Sequence, residues 1–126
     1  MKATKIAAFI CLMLGVSTVW ATDCSLPSMP ELPNGKNADM QAMLAGKEAV
    51  TAFQAENSEY LGCLNEAIEA SKTKLASGGD KPALKAIKAE YQALTDKYNA
   101  AVNAEETLAN KFNDAIRAFK QANPSS

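Results

Sequence analysis

Between residues 81 and 122, apolar side chains recur at alternating spacings of three and four. The series is Leu84, Ile87, Tyr91, Leu94, Tyr98, Ala101, Leu108, Phe112, Ala115 and Phe119, with Glu105 the one charged seam position. A helix returns to the same face about every 3.6 residues, so this pattern predicts a long helix with a coiled-coil seam. Asp80 can cap its start, Pro82 suits its first turn, and Asn123-Pro124 stops it.

A second helix is predicted over residues 37–76, which contain no proline and are rich in Ala, Glu, Gln, Lys, Met and Leu. Asn37 or Asp39 caps it after an Asn34-Gly35 turn. Its apolar series is less regular: Met40, Met43, Val50, Phe53, Tyr60, Leu64 and Leu75, flanked by Leu44, Leu61 and Ile68. The seam shifts near Asn57, and the step from Val50 to Leu61 reads as a stutter. Gly46 and Gly62 each weaken a helix by about 1 kcal/mol relative to Ala. Both a continuous helix and one broken at Asn57-Ser58 therefore remain open.

Ser77-Gly78-Gly79-Asp80 forms a turn between the two. The predicted fold is all-α: a long antiparallel two-helix hairpin over residues 37–122, coiled-coil-like in its packing. Opposed residues then have numbers summing to about 157. Leu94 faces Leu64, Tyr98 faces Tyr60, and Phe112 falls opposite Gly46, where a glycine leaves room for its ring. Glu69 with Lys88, and Glu59 with Lys97, are placed to bridge the rim.

Ahead of the hairpin, residues 22–36 form a proline-rich arm with a triplet repeat: Leu26-Pro27, Met29-Pro30, Leu32-Pro33. Polyproline II has about three residues per turn, so the prolines share one edge and Leu26, Met29 and Leu32 another. That apolar edge is expected to cover a hairpin flank, at Leu44, Leu61, Val102 or Ile116. A solvated leader is the alternative.

Residues 1–21 read as a secretory signal peptide. Lys2 and Lys5 start it, Ile6 to Val19 is an apolar run short for a membrane span, and Val19-Trp20-Ala21 suits cleavage before Thr22. An uncleaved anchor is the competing reading. Asp23 and Ala21 stand where a lipobox would require other residues, which argues against lipidation at Cys24.

Removing this segment changes the arithmetic. Of 126 residues, 105 remain; of 13 basic side chains, Lys2 and Lys5 leave, so 11 face 14 acidic ones and the net charge is −3. Two cysteines remain, Cys24 and Cys63, and in an exported chain they read as one disulfide rather than a free thiol pair. Their separation permits it. From Asn37 to Cys63 a helix rises roughly 39 Å at 1.5 Å per residue. From Cys24 to Asn37 a polyproline arm reaches roughly 40 Å at 3.1 Å per residue. The arm is thus expected to run back along the first helix and be tied there.

The sequence holds no histidine, the commonest general base and metal ligand. No phosphate-binding glycine loop, nucleophile elbow or C-x-x-C pair occurs. No catalytic residue, metal site or cofactor is expected. With Arg117 the only arginine and a negative balance, nucleic acid is not an expected partner. Two features could carry interaction chemistry. Glu105 lies near Asn57, as a buried acid or as a register-setting polar group. Lys72, Lys74, Lys81, Lys85 and Lys88 gather at the hairpin tip, above an acidic shaft of Glu56, Glu59, Glu66 and Glu69. Residues 123–126 are expected to be a disordered tail.

The opening Cys24…Leu26-Pro27…Leu32-Pro33-Asn34-Gly35, then Met40…Val50…Phe53…Tyr60-Leu61-Gly62-Cys63-Leu64, resembles small exported proteins of proteobacteria. Tyr98-Asn99…Val102…Phe112-Asn113…Ile116-Arg117-Ala118-Phe119-Lys120 adds to the resemblance. It implies bacterial export and a helical fold, and assigns no activity. The expected function is a non-enzymatic periplasmic or secreted protein acting through protein or cell-envelope contacts. The alternative is a small holdase-like, membrane-surface or polyanion binder using the lysine-rich tip. A homodimer would pair the exposed helix flanks as a four-helix bundle, whereas a monomer that binds a hydrophobic dye strongly would favour the alternative.

Overall fold

The computed structural model describes residues 23–125; the predicted signal peptide and its cleavage site lie outside them. Two helices account for the secondary structure of the described residues: α1, Met40–Ala76, and α2, Lys81–Ala122. They pack against each other as an antiparallel hairpin. At 37 and 42 residues, they are roughly 55 and 63 Å long at 1.5 Å per residue.

Each start is capped as its sequence demands. The Asp39 carboxylate accepts from the Ala42 N–H at 2.7 Å, and Asp80 accepts from the Ala83 N–H at 2.9 Å. Of the two caps open for α1, Asp39 takes the role, and the helix begins three residues later than the predicted boundary at 37. Asn34 explains the delay. Its carbonyl accepts from the N–H groups of Asn37 and Ala38 at 3.0 and 2.9 Å. Its side chain accepts from the Lys36 N–H at 3.1 Å, so the segment is spent on a turn. Gly78, at φ +75°, makes the hairpin turn in a conformation that favours glycine. At the far end the Asn123 N–H and side-chain amide both donate to the Phe119 carbonyl, closing the last turn, and residues 124–125 form an exposed turn.

α1 is unbroken through Asn57 and Ser58. Its buried face runs Met43, Gly46, Val50, Phe53, Asn57, Tyr60, Leu64, Ile68 and Ser71. The seam is regular once small and polar residues are admitted to it, so nothing forces a break.

The core divides into two clusters. Met43, Val50, Phe53, Leu108, Phe112 and Phe119 fill the open end of the hairpin, joined by Leu32 and Ala38 from the arm side. Tyr60, Leu64 and Ala101 form the second, with Cys24, Leu61, Leu94 and Tyr98 against them. Leu94 thus meets the cluster of Leu64, and Tyr98 that of Tyr60, as the register predicts. Toward the tip, Leu84, Ile87 and Tyr91 are only half-buried. The arm does not extend that far, and two helices alone leave each seam residue partly open.

The arm is tied by the Cys24–Cys63 disulfide, with 5.6 Å between the Cα atoms. It packs with the edge opposite to the one expected. Leu26 and Met29 point outward, 69% and 50% exposed, while Pro27, Pro30 and Pro33 are half-buried. Only Leu32 of the predicted stripe reaches the core. The steric reason lies at Gly46. A Cβ there would stand 2.7 Å from the Pro33 ring and 3.1 Å from the Phe112 ring, so the glycine seats both. Gly35 sits closer still, against α2: a side chain on it would collide with the Ala115 carbonyl. These two glycines let the arm lie flat on the hairpin, proline edge inward.

Candidate functional site

The described residues place the predicted features at three levels along the hairpin. Midway, the Asn57 side chain is buried and donates to the Ala101 carbonyl at 3.2 Å and to the Glu105 carboxylate at 2.8 Å. Glu105 is half-buried and lines a shallow groove, while the Asn57 amide bridges the helices. The pair sits where the sequence suggested a shift of the seam, and its hydrogen bond ties α1 to α2 at that level. The Asn57 carbonyl oxygen has no hydrogen-bond partner within the described residues.

At the tip the five lysines do not act alike. Lys72 bonds Glu69 at 2.6 Å, a contact that raises its pKa above the usual 10.5 chiefly through that hydrogen bond and the carboxylate charge. Lys74 lies 3.8 Å from Glu90 on α2. Lys81, Lys85 and Lys88 form no ion pair among the described residues. Neither predicted rim bridge forms among them: Glu69 is taken by Lys72 one turn along its own helix, and Glu59 does not reach Lys97. Arg117 pairs with Asp114 within α2. Local pairs win because their partners are already held at helical spacing.

At the open end lies a feature the sequence did not single out. A groove of about 320 Å³ runs between the helices, lined by Met40, Met43, Leu44, Phe112, Ile116 and Phe119, with Lys47 and Lys120 at its edges. Leu44, Leu61, Val102 and Ile116 belong to the flank that the arm was expected to cover. The arm lies on the other side. Gly46 and Cys63, which meet the arm, are each two residues from Leu44 and Leu61, about 200° around the helix. Leu44 and Val102 are consequently 54% and 41% exposed. The seven-residue recurrence of Val102, Ala109 and Ile116 along one side of α2 was the available signal for this face.

Beside the disulfide, Asp23, Glu56 and Glu59 line a shallow acidic cleft with Pro27 and Tyr60. No group of three or more His, Cys, Asp or Glu among the described residues is placed to hold a metal ion. No helix of the described residues is long and apolar enough to cross a membrane.

Comparison with protein families, curated proteins and solved structures finds no match. The reading of function therefore rests on the chain's own residues.

Proposed function

We propose that the chain is an exported, non-enzymatic helical protein that works in the periplasm or outside the cell, through contacts with a protein or an envelope component. The observation that carries this reading is the Cys24–Cys63 bond, which ties the arm to α1. Disulfides of this structural kind persist in oxidising compartments and are rare in a reducing cytosol. The basic, then apolar, start at residues 1–21 supports the same route. The sequence has no histidine, and the groove at the open end offers two lysine ammoniums and apolar side chains but no paired nucleophile and base.

The test is expression of the complete chain in a Gram-negative host, followed by fractionation and intact-mass measurement with and without thiol alkylation. The expected product is periplasmic or secreted, begins at Thr22 and has no alkylatable thiol until reduced. A cytoplasmic product with two free thiols in the 22–126 region would overturn the reading.

A second reading, polyanion or membrane-surface binding by the tip, is favoured by one observation: Lys81, Lys85 and Lys88 at the start of α2 have no ion-pair partner among the described residues. Flotation with anionic phospholipid vesicles should then fall with added salt and vanish when all three become Glu. Equal flotation with neutral vesicles would remove it.

A further inference from the structure

The groove at the open end has a floor and walls of different kinds. Met43, Phe112 and Phe119 make its floor; they are buried members of the larger core cluster, so packing fixes the surface they present. Met40 and Leu44, 51% and 54% exposed, stand along it and keep apolar atoms in water. A guest laid on this floor removes apolar area from water and requires no rearrangement of the fold.

Charge narrows the kind of guest. Lys47 and Lys120 complete the lining, which contains no carboxylate, and neither forms an ion pair among the described residues. Acids close to them in sequence are engaged elsewhere or stand outside the groove. The Asp39 carboxylate caps α1 at the Ala42 N–H, and Asp114 pairs with Arg117. Glu48 lines a neighbouring depression with Ala52 and Ala55, which shares Leu44 and Lys47 as a wall. Glu105 belongs to the groove nearer the middle of the hairpin and accepts from the Asn57 amide. Even with Glu48 counted, the local balance is positive. The result is an apolar trough edged by two ammoniums, whose flexible stems let them turn over it.

Size narrows it further. Eight residues line the groove, too few for a stable protein interface, which takes about 20–30 residues a side. Its volume of about 320 Å³ lies at the low end of small-molecule sites, which run from about 300 to 1,000 Å³. From Met40 to Lys47 the helix rises roughly 10 Å. A straight alkyl chain, with bonds of about 1.5 Å, lays roughly eight carbons over that length. Other occupants fit the charge badly. Two copies meeting groove to groove would gather their lysines. The segment ahead of Asp23 carries Lys2 and Lys5, and it enters beside Cys63, roughly 30 Å along α1 from Met43 and on the arm side.

We propose that this groove binds a single-chain anionic amphiphile, a fatty-acid carboxylate of medium length. Its alkyl chain lies over Met43, Leu44, Phe112 and Ile116, and its carboxylate meets the ammoniums of Lys47 and Lys120. Binding of this kind is independent of the compartment in which the chain works.

The test is titration of the oxidised protein, purified after expression of the full-length chain, with decanoate below its micelle concentration, followed by amide chemical shifts. Saturable one-to-one binding is expected, with shifts centred on residues 40–47 and 112–120. Affinity should rise about two- to threefold per carbon from hexanoate to decanoate, then level off at dodecanoate, whose chain outruns the groove. Decyltrimethylammonium, with the same chain and the opposite charge, should bind about tenfold more weakly. Lys47→Gln with Lys120→Gln should weaken decanoate about five- to tenfold and erase that preference. Leu44→Glu should abolish binding with helical content by circular dichroism unchanged, whereas Val102→Glu, on the neighbouring groove, should leave binding intact. No saturable shift, shifts centred on Leu61 and Val102, affinity that keeps climbing with chain length, or equal binding of the two amphiphiles would each overturn the proposal. So would a dimer in the absence of amphiphile that Leu44→Glu converts to monomer in sedimentation.

Discussion

The Asn57 amide reaches across the hairpin to the Glu105 carboxylate at 2.8 Å, from a position 1% exposed. A second bond to the Ala101 carbonyl holds it in place, yet its own carbonyl oxygen has no partner within the described residues. A buried polar group retained at such cost marks register more than it adds stability. Asn57→Leu is therefore expected to change stability in urea unfolding by no more than about 1 kcal/mol, in either direction. Asn57→Asp should cost about 2–3 kcal/mol at neutral pH, because it buries a carboxylate against Glu105. That deficit should shrink as the pH falls and the introduced acid protonates. A deficit that stays constant with pH would show that the loss has another origin.

Gly46 and Gly62 make a paired test on one helix. Nothing lies within 4 Å of a Cβ built on Gly62, so Gly62→Ala should stabilise by about 1 kcal/mol through helix propensity alone. At Gly46 the same change meets Pro33 at 2.7 Å and Phe112 at 3.1 Å. Gly46→Ala should destabilise by about 1–3 kcal/mol, the propensity gain being outweighed by overpacking. Thermal or urea unfolding of the two variants should move in opposite directions.

Cys24 and Cys63 are 39 residues apart, a closure that restricts the unfolded chain by about 4 kcal/mol in the chain-entropy account. Replacing both with Ser should lower the denaturant midpoint accordingly, while leaving most helical signal at low denaturant. Limited proteolysis should then cut first within the arm, whose contacts at Leu32, Pro33 and Gly35 no longer have a covalent anchor.

Ser71 is fully buried and its hydroxyl has no hydrogen-bond partner within the described residues. Ser71→Ala removes an unsatisfied polar atom without enlarging the side chain. A stabilisation of up to about 1 kcal/mol is expected in the same unfolding measurement.

These sites also show which parts of the architecture were legible beforehand. α2 could be read residue by residue, since its seam is made of large apolar side chains at regular intervals. α1 was harder because Gly46, Asn57 and Ser71 occupy seam positions where hydrophobicity is silent. The gap they leave mimics a stutter or a break, and only the partner helix shows that small and amide-bearing residues belong there. The reach of the arm to Cys63 followed from length alone. Its rotation did not, because the docking edge depends on a proline fitting over one glycine and a turn wedging Gly35 against Ala115. The rim ion pairs went astray for a related reason: cross-helix distances are set by packing, whereas Glu69–Lys72 needs only helical spacing.

The strap also decides how the molecule would carry a mechanical load. Because Cys24 and Cys63 are covalently joined, tension entering at the start of the described chain crosses directly to a point about two-thirds of the way along α1. Residues 25–62 are shielded from it, including the groove end of α1 and the whole arm. The load continues into the rest of α1, the hairpin turn and α2. A force that pulls the two ends apart therefore has only α2 and the last third of α1 to unravel, and the first two-thirds of α1 behave as a fixed bracket.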